Sequence, residues 1–292
     1  MKPHEQVIII GGGPAGTACA VQLKRYGIDP LLLEKDKIGG LVRNAWRLDN
    51  YPGYPKGISG RKYSKKIKKH LKRFDIRSAK CQVRSAKFLN NAFEIVTDES
   101  VFRCDHLVIA TGTRAKKVFD YPEEAESVIF YEVQPLQGIE GKDIAIIGAG
   151  DAAFDYAMSL AGHNRVEIYN RGDEIKCIPA LLEIATANAF INYNDNIELE
   201  KIEVSNNILS LFFKNMISED PILFDYVIFA AGREAELSFI SGEMENNLEK
   251  LEQEGLLYVI GDVKNGMVRQ TSVAIGDGIK AAMAIKDQII NG

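Results

Sequence analysis

Apolar and polar positions fall into short blocks that recur along this chain. Val7 to Ile10 is an unbroken apolar run rich in β-branched residues, short and buried in character, as a core strand is. A glycine turn follows, then a segment with helical character to Lys24, then a second buried strand, Leu31 to Leu33, ending at Glu34. The same order returns in DIAIIGAGDAAFDYAMSLA, from Asp143, with VEIYN after it. His106 to Gly112 and Tyr226 to Gly232 are buried strands that end in small residues, and Leu257 to Ile260 is another buried strand. Ile67, Leu71 and Phe74 stand at helical spacing, so much of the stretch from Arg61 to Lys87 is expected to be one amphipathic helix. Ala86 to Leu89 and Phe93 to Val96, with Asn90-Asn91 between them, read as a small β-insert. The stretch after Gly232 to Glu254 reads as charged and flexible, and Ser272 onward as a helix. Strands alternating with helices place the chain in the α/β class, with two similar nucleotide-binding units.

Composition narrows this further. A chain of 292 residues is long for one domain and comfortable for two. With 46% apolar and 26% charged residues it has an ordinary globular composition. It lacks any apolar run of about 18 residues, so no spanning helix is expected. Val7 to Ile10 is too short for a signal-peptide core, and a cytoplasmic location is expected. Cys19, Cys81, Cys104 and Cys177 are scattered, with no C-x-x-C among them. That argues against a disulfide framework, a zinc site and a self-contained redox dithiol. The net charge of −4 conceals an asymmetry: residues 61–87 hold twelve Lys and Arg against Asp75 alone. Such a face is either simply solvated or a dock for an acidic partner. No aromatic platform or nucleic-acid motif accompanies it.

The candidate chemistry sits in the turns. Gly11, Gly13 and Gly16 give G-x-G-x-x-G between strand and helix. The first glycine makes the tight turn, the second admits a pyrophosphate, and the third lets the helix approach the strand. The N-terminus of that helix offers unpaired N–H groups to the anion. Glu34 lies about 20 residues on, where an acid bonds a ribose hydroxyl. Gly148, Gly150 and Ala153 give G-x-G-x-x-A in the second unit. The strand after it ends without an acid, and Arg171 and Lys176 follow, which suits a ribose 2′-phosphate and favours NADPH over NADH. Glu167 lies inside that strand, away from the ribose position. Asp49 and Asn50 are placed to reach a ring or a ribityl chain. Ala110-Thr111-Gly112 lets backbone come close to a cofactor. Gly261-Asp262 ends a buried strand on the side where such sheets bind ligands, and Asp262 can accept a ribityl hydroxyl.

Taken in order, GGGPAG with Glu34, NYPGYPKGISG, IATG, GAGDAA and GDVKNGMVRQTS resemble the low-molecular-weight thioredoxin reductase family of flavoproteins, a branch of the pyridine nucleotide-disulfide oxidoreductases. The match spans nearly the whole chain. The resemblance implies two Rossmann-like, three-layer (β/β/α) domains: a discontinuous FAD-binding domain, 1–114 and 236–292, around an inserted NAD(P)-binding domain, 115–235. It implies FAD contacts at Gly11, Gly13, Pro14, Ala15, Gly16, Glu34, Lys35, Gly40, Leu41, Asn50, Ala110, Thr111, Gly112, Gly261, Asp262, Arg269, Gln270 and Thr271, with Val83 contributing through backbone. It implies NAD(P) contacts at Gly148, Gly150, Asp151, Ala152, Arg171 and Lys176, and a homodimer. It also implies a hinge near Thr113 to Lys117 and Gly232 to Glu236.

The departures matter as much as the match. The family's redox C-x-x-C, counted back from Gly148, falls on Tyr131-Glu132-Val133-Gln134, where there is no thiol. Tyrosine and glutamine cannot replace a thiolate nucleophile, so the internal-dithiol route to thioredoxin is closed to this chain. Tyr131 or Glu132 is expected to fill part of the space beside the flavin. The family's cationic NADPH signature is reduced to Arg171 and Lys176. Cys19 or Cys177 is a candidate single reactive thiol, although a free cysteine commonly serves as a small buried hydrophobe. The expected activity is an FAD-dependent NAD(P)H oxidoreductase delivering electrons to an external acceptor, with the flavin carrying the chemistry and no metal. Ferredoxin or flavodoxin fits the basic segment; a quinone, a small disulfide or dioxygen also fits. Two alternatives stay open: a ferredoxin- or flavodoxin-linked flavoprotein that does not use NAD(P)H, and a non-catalytic redox sensor.

Overall fold

The computed structural model describes residues 4–216 and 220–291. They divide into two compact units: Met1–Arg43, Leu48–Arg114 and Glu234–Gly292 form unit 1, and Asn44–Arg47 with Ala115–Arg233 form unit 2. Both are α/β, with parallel strands at the centre of each main sheet.

Unit 1 opens with β1 (His4–Ile10), α1 (Pro14–Arg25), β2 (Leu31–Glu34), α2 (Gly60–Arg73), β3 (Arg77–Lys80), β4 (Val83–Leu89), β5 (Ala92–Thr97) and β6 (Val101–Ile109). The chain passes through β7 (Thr113–Ala115) into unit 2, which holds β8 (Ile129–Phe130), β9 (Asp143–Ile147), α3 (Asp151–Leu160), β10 (Arg165–Tyr169), α4 (Pro179–Thr186), β11 (Ile191–Asn194), β12 (Glu198–Ser205), β13 (Ile208–Lys214), β14 (Ile222–Phe224) and β15 (Tyr226–Phe229). It returns through β16 (Arg233–Ala235) to α5 (Gly242–Glu245), α6 (Leu248–Gln253), β17 (Leu257–Val259) and α7 (Thr271–Asn291).

The unit 1 sheet runs β3-β2-β1-β6-β5-β4, with β17 also paired to β6. The long β6 serves two partners along one edge: its first half pairs antiparallel with β5 and its second half parallel with β17. The β4–β5 hairpin therefore belongs to the main sheet and is not the separate insert expected from its local pattern. Side chains of β1 point alternately to the two faces. Val7 and Ile9 enter the core beneath α1 and α7, while Ile8 and Ile10 enter the core beneath β5, α5 and α6. All four are at most 5% exposed, and burial of each is worth about 2 kcal/mol. This two-sided burial explains the unbroken apolar run.

The basic stretch resolves into α2 followed by β3 and β4, so the helix covers only its first half. Ser59 caps α2 by accepting from the Lys62 N–H. Residues 234–254, expected to be flexible, carry α5 and α6 instead. Phe239, Met244 and Leu251 are buried there and pin both helices to the core.

Unit 2 repeats the plan with the order β11-β10-β9-β15-β8. Ile144 and Ile146 of β9 face α3, and Ala145 faces the opposite core. That second core is closed by the antiparallel sheet β12-β13-β14 through Leu199, Ile202, Leu209, Leu211 and Phe224. The layers are thus sheet, sheet and helix. The two passages joining the units, β7 and β16, pair as a two-stranded ladder. Among the described residues no helix is long and apolar enough to cross a membrane.

Candidate functional site

Each unit has a glycine turn at the carboxyl end of its first central strand. In unit 1 Gly11 has φ +108°, and a Cβ there would sit 2.3 Å from the Ala110 carbonyl oxygen. In unit 2 Gly148 has φ +130°, and a Cβ would sit 2.5 Å from the Ala230 carbonyl oxygen. Conformation and space both demand glycine. Matching backbone bonds hold the turns: the Gly11 and Ala110 N–H groups donate to Leu33 and Ile10, and those of Gly148 and Ala230 to Tyr169 and Ile147. Gly13 and Gly150 are the N-caps of α1 and α3, and neither has a side-chain cap. The first-turn amides are therefore left for a ligand.

The unit 1 turn fits a pyrophosphate. A Cβ on Gly13 would meet nothing within 4 Å, whereas one on Gly16 would meet the Gly11 carbonyl oxygen at 2.0 Å. The cradle is closed against the strand and open above the helix terminus, as a bound anion requires. Pro14 starts α1 where its missing N–H costs nothing.

Other expected FAD residues gather around it. Glu34 accepts from the Gly12 N–H at 2.6 Å through one oxygen and from the Asp36 N–H at 2.9 Å through the other. Each oxygen retains a second lone pair for a ribose hydroxyl. Lys35, next along, is exposed. The Gly39 N–H donates to the Gly12 carbonyl, and a Cβ on Gly40 would lie 3.2 Å from the Gly13 Cα. Gly40 and Leu41 thus begin against the turn. The Cys81 N–H donates to the Glu34 carbonyl, which brings the chain leading to Val83 to the same edge. Asn50 Nδ2 donates to Gln270 Oε1 at 2.7 Å, joining two motifs 220 residues apart. Arg269 and Thr271 flank that glutamine, and α7 begins at Thr271. The Thr111 hydroxyl donates to the Glu236 carbonyl at 2.6 Å, and Gly112 has φ +68°.

Sequence reading missed the clamp on the Gly261-Asp262 turn. Asp277 Oδ2 accepts from the Gly261 N–H at 3.2 Å and from Asn265 Nδ2 at 2.6 Å. A Cβ on the next residue, Gly278, would lie 2.2 Å from the Ala15 carbonyl oxygen, so α7 packs directly on the first turn of α1. An acid–glycine pair in the first turns of a helix that follows a Gly-Asp turn is the sequence signal for this clamp.

In unit 2 the chain after β10 folds back on the second turn. The Lys176 N–H donates to the Ala149 carbonyl, and the Ile178 N–H to Asp151 Oδ1 at 2.8 Å. Asp151 and Ala152 start α3 and are exposed. Asn170 is buried, and its amide donates to the Glu174 carbonyl and the Tyr193 hydroxyl. Arg171 and Lys176 are exposed, and Lys176 pairs with Glu174 at 3.3 Å. Glu167 accepts from Asn192 and Asn194, so it is held within the β10–β11 pair.

Tyr131 and Glu132, at the dithiol position, both have partners in unit 2. The Tyr131 ring lies 5.8 Å from that of Phe229, and its hydroxyl is 3.4 Å from that of Tyr121. Glu132 accepts from Arg233 at 2.5 Å, from Asn44 at 2.5 Å and from the Tyr156 hydroxyl at 2.9 Å. Burial, with the Glu132 charge beside it, holds the Tyr156 hydroxyl well above its usual range and keeps it a donor. The Trp46 N–H donates to Asp155, which fixes the Asn44–Arg47 segment in this unit. The four cysteines are free. Cys19 is fully buried and its thiol is pushed up by burial. The Cys177 thiol is pushed up to about 12 by burial and by the Asp151 carboxylate.

Two glycine-turn cradles, each after a central parallel strand, define a protein with two dinucleotide-binding folds. The chain belongs to the pyridine nucleotide-disulphide oxidoreductase family, whose model matches residues 5–278. Within that FAD-dependent family it is thioredoxin reductase-like. The thioredoxin reductase of Chlamydia pneumoniae is 27% identical over 306 residues, covering 96% of this chain and 97% of that protein. The crystal structure of T. acidophilum thioredoxin reductase is similar with a TM-score of 0.85 at 25% identity, covering 99% of this chain and 100% of that one. A 34.2 kDa protein in the rubredoxin operon of Clostridium pasteurianum is 25% identical over 308 residues, covering 99% of each.

Proposed function

We propose that this chain is an FAD-dependent NAD(P)H oxidoreductase whose electrons leave to an acceptor outside the chain. The carrying observation is the dithiol position: Tyr131-Glu132-Val133-Gln134 stands there, and no two cysteines of the chain lie three residues apart. When bound, the flavin supplies the hydride-accepting and electron-releasing chemistry. The protein's part is placement. The α1 terminus and Gly13 hold the pyrophosphate, Glu34 orients the ribose, and the Asp277 clamp positions the turn that carries Asp262. Gly148, Gly150, Asp151 and Ala152 form the nicotinamide dinucleotide turn, and Arg171 and Lys176 favour NADPH through its 2′-phosphate. The active form is a homodimer in the cytoplasm. The acceptor class is an acidic electron carrier of the ferredoxin or flavodoxin kind, a reading that the rubredoxin-operon context of one relative supports.

Anaerobic titration tests this. The purified protein is expected to be yellow, to bleach faster with NADPH than with NADH, and to recover colour with an electron carrier but not with oxidised thioredoxin. A colourless protein that takes up no flavin sinks the proposal. A flavoprotein that neither nucleotide bleaches removes NAD(P)H from it.

A further inference from the structure

Helix α2 presents a cationic face with little intramolecular use: Lys66 lies 5.7 Å over the Tyr54 ring and Arg73 5.7 Å over the Phe74 ring. Eight Lys and Arg lie between Arg61 and Arg73 with no acid among them. All eight are exposed, and none forms an ion pair among the described residues. Nearby acids of unit 1 are committed elsewhere: Glu5 to Arg77, Asp29 to Arg77 and Lys24, Asp36 to Arg43. With these eight cations set aside, the chain's net charge of −4 becomes −12. Concentrating this much like charge on about 20 Å of helix is self-repulsive.

The apolar side of α2 is already spent. Tyr63 and Ile67 lie in a core with Val42 and Ile58, and Leu71 in the core of α1 and α7. No apolar stripe is left to enter a bilayer, as an interfacial helix requires. Of the two rings in the helix, Tyr63 is 6% exposed and His70 packs against Phe74 at 5.3 Å between centroids, so there is no open row of rings for successive bases to stack on. A long polyanion reaching past the helix would also meet a strongly negative remainder. A compact acidic protein would not.

Position ties this face to the first cradle. A Cβ on Gly39 would lie 2.5 Å from Ser64 Cβ of α2, and the Gly39 N–H donates to the Gly12 carbonyl. The helix therefore stands one layer behind the glycine turn, within the same unit. Resting on the function proposed above, we propose that the α2 face is the docking site of a small acidic electron-carrier protein, steered there by charge. One NAD(P)H yields NAD(P)+, one proton and two electrons, which reduce two one-electron carriers or one two-electron carrier.

The test uses the full-length flavin-loaded protein, titrated with an acidic 2Fe–2S ferredoxin and with a flavodoxin as probes. The quadruple charge reversal Lys65→Glu, Lys68→Glu, Lys69→Glu, Lys72→Glu is expected to weaken carrier binding at least tenfold and to flatten its salt dependence. The matching quadruple Lys→Arg variant keeps both. Flavin content and melting temperature, measured on the same samples, separate a misfolded variant or a failure of the flavoenzyme reading from a failure of docking. Unchanged carrier affinity in the charge-reversed protein overturns the proposal. So does tighter binding of the wild type to duplex DNA or to phosphatidylglycerol vesicles than to either carrier. Salt-sensitive self-association that vanishes in the variant, without any carrier binding, assigns the face to a second copy of the chain and also overturns it.

Discussion

In unit 1 the glycine turn draws its surroundings from distant parts of the chain: Gly39 and Gly40, Ala110, the Asn50–Gln270 pair and the Asp277 clamp. In unit 2 the equivalent turn shares one such remote contact, Ala230, and is otherwise bordered by its own sequence neighbours, with Lys176 and Ile178 bonded back to Ala149 and Asp151. The strand-to-helix turns themselves share the same backbone bonds and the same need for glycine. What differs is how many remote segments must be in place around them. On the proposed function this matches two ligand lifetimes. A cradle assembled from several distant segments suits a group that stays, and one assembled mostly from its own neighbours suits a nucleotide that comes and goes.

The largest expected effect comes from the same substitution made in both turns. Gly11→Ala forces a side chain into the Ala110 carbonyl and a positive φ, at about 3 kcal/mol or more. It is expected to abolish flavin retention, read by absorbance after gel filtration. Gly148→Ala carries the same local strain in the other unit. It is expected to leave the protein yellow while raising the NAD(P)H concentration needed for bleaching by about 100-fold or more. If both variants lose flavin equally, the division of labour between the units is wrong.

Smaller effects sharpen it. Arg171→Ala is expected to raise the KM for NADPH about tenfold and leave that for NADH unchanged. Glu132→Ala removes one acceptor from each of Arg233, Asn44 and the Tyr156 hydroxyl, and is expected to lower stability by about 1–2 kcal/mol in urea unfolding. Glu132→Gln, which keeps one acceptor, costs less. The smallest effect concerns Cys177, whose thiol is pushed up to about 12. The thiolate is the minor form at neutral pH, so iodoacetamide labelling is expected to be slow there and to rise about tenfold per pH unit up to about pH 11. Fast labelling at pH 7 contradicts the burial described here.

Local features of this fold were open to sequence reading because their causes are local. Gly11 and Gly148 follow apolar runs and precede helices, and the sterics that require glycine act within a few residues. Long-range features were not. Strand β5 looks like half of an isolated hairpin until its pairing with the first half of β6 is known. Helices α5 and α6 bury few large apolar residues amid many charges, too sparse a stripe to announce a helix. The Glu132 cluster needs Asn44, Tyr156 and Arg233, three residues far apart in sequence, and only packing brings them to one carboxylate.

The contact between Gly278 and Ala15 has a consequence for synthesis. The helix that seats against the opening turn emerges from the ribosome after every other described element of both units, so unit 1 must wait for it before its first turn is covered. Unit 2 lies almost wholly in one continuous stretch and is free to condense earlier, while the nascent chain still grows. On the proposed function, flavin capture follows the seating of α7, and truncation within α7 is expected to yield a colourless product that still holds a folded middle.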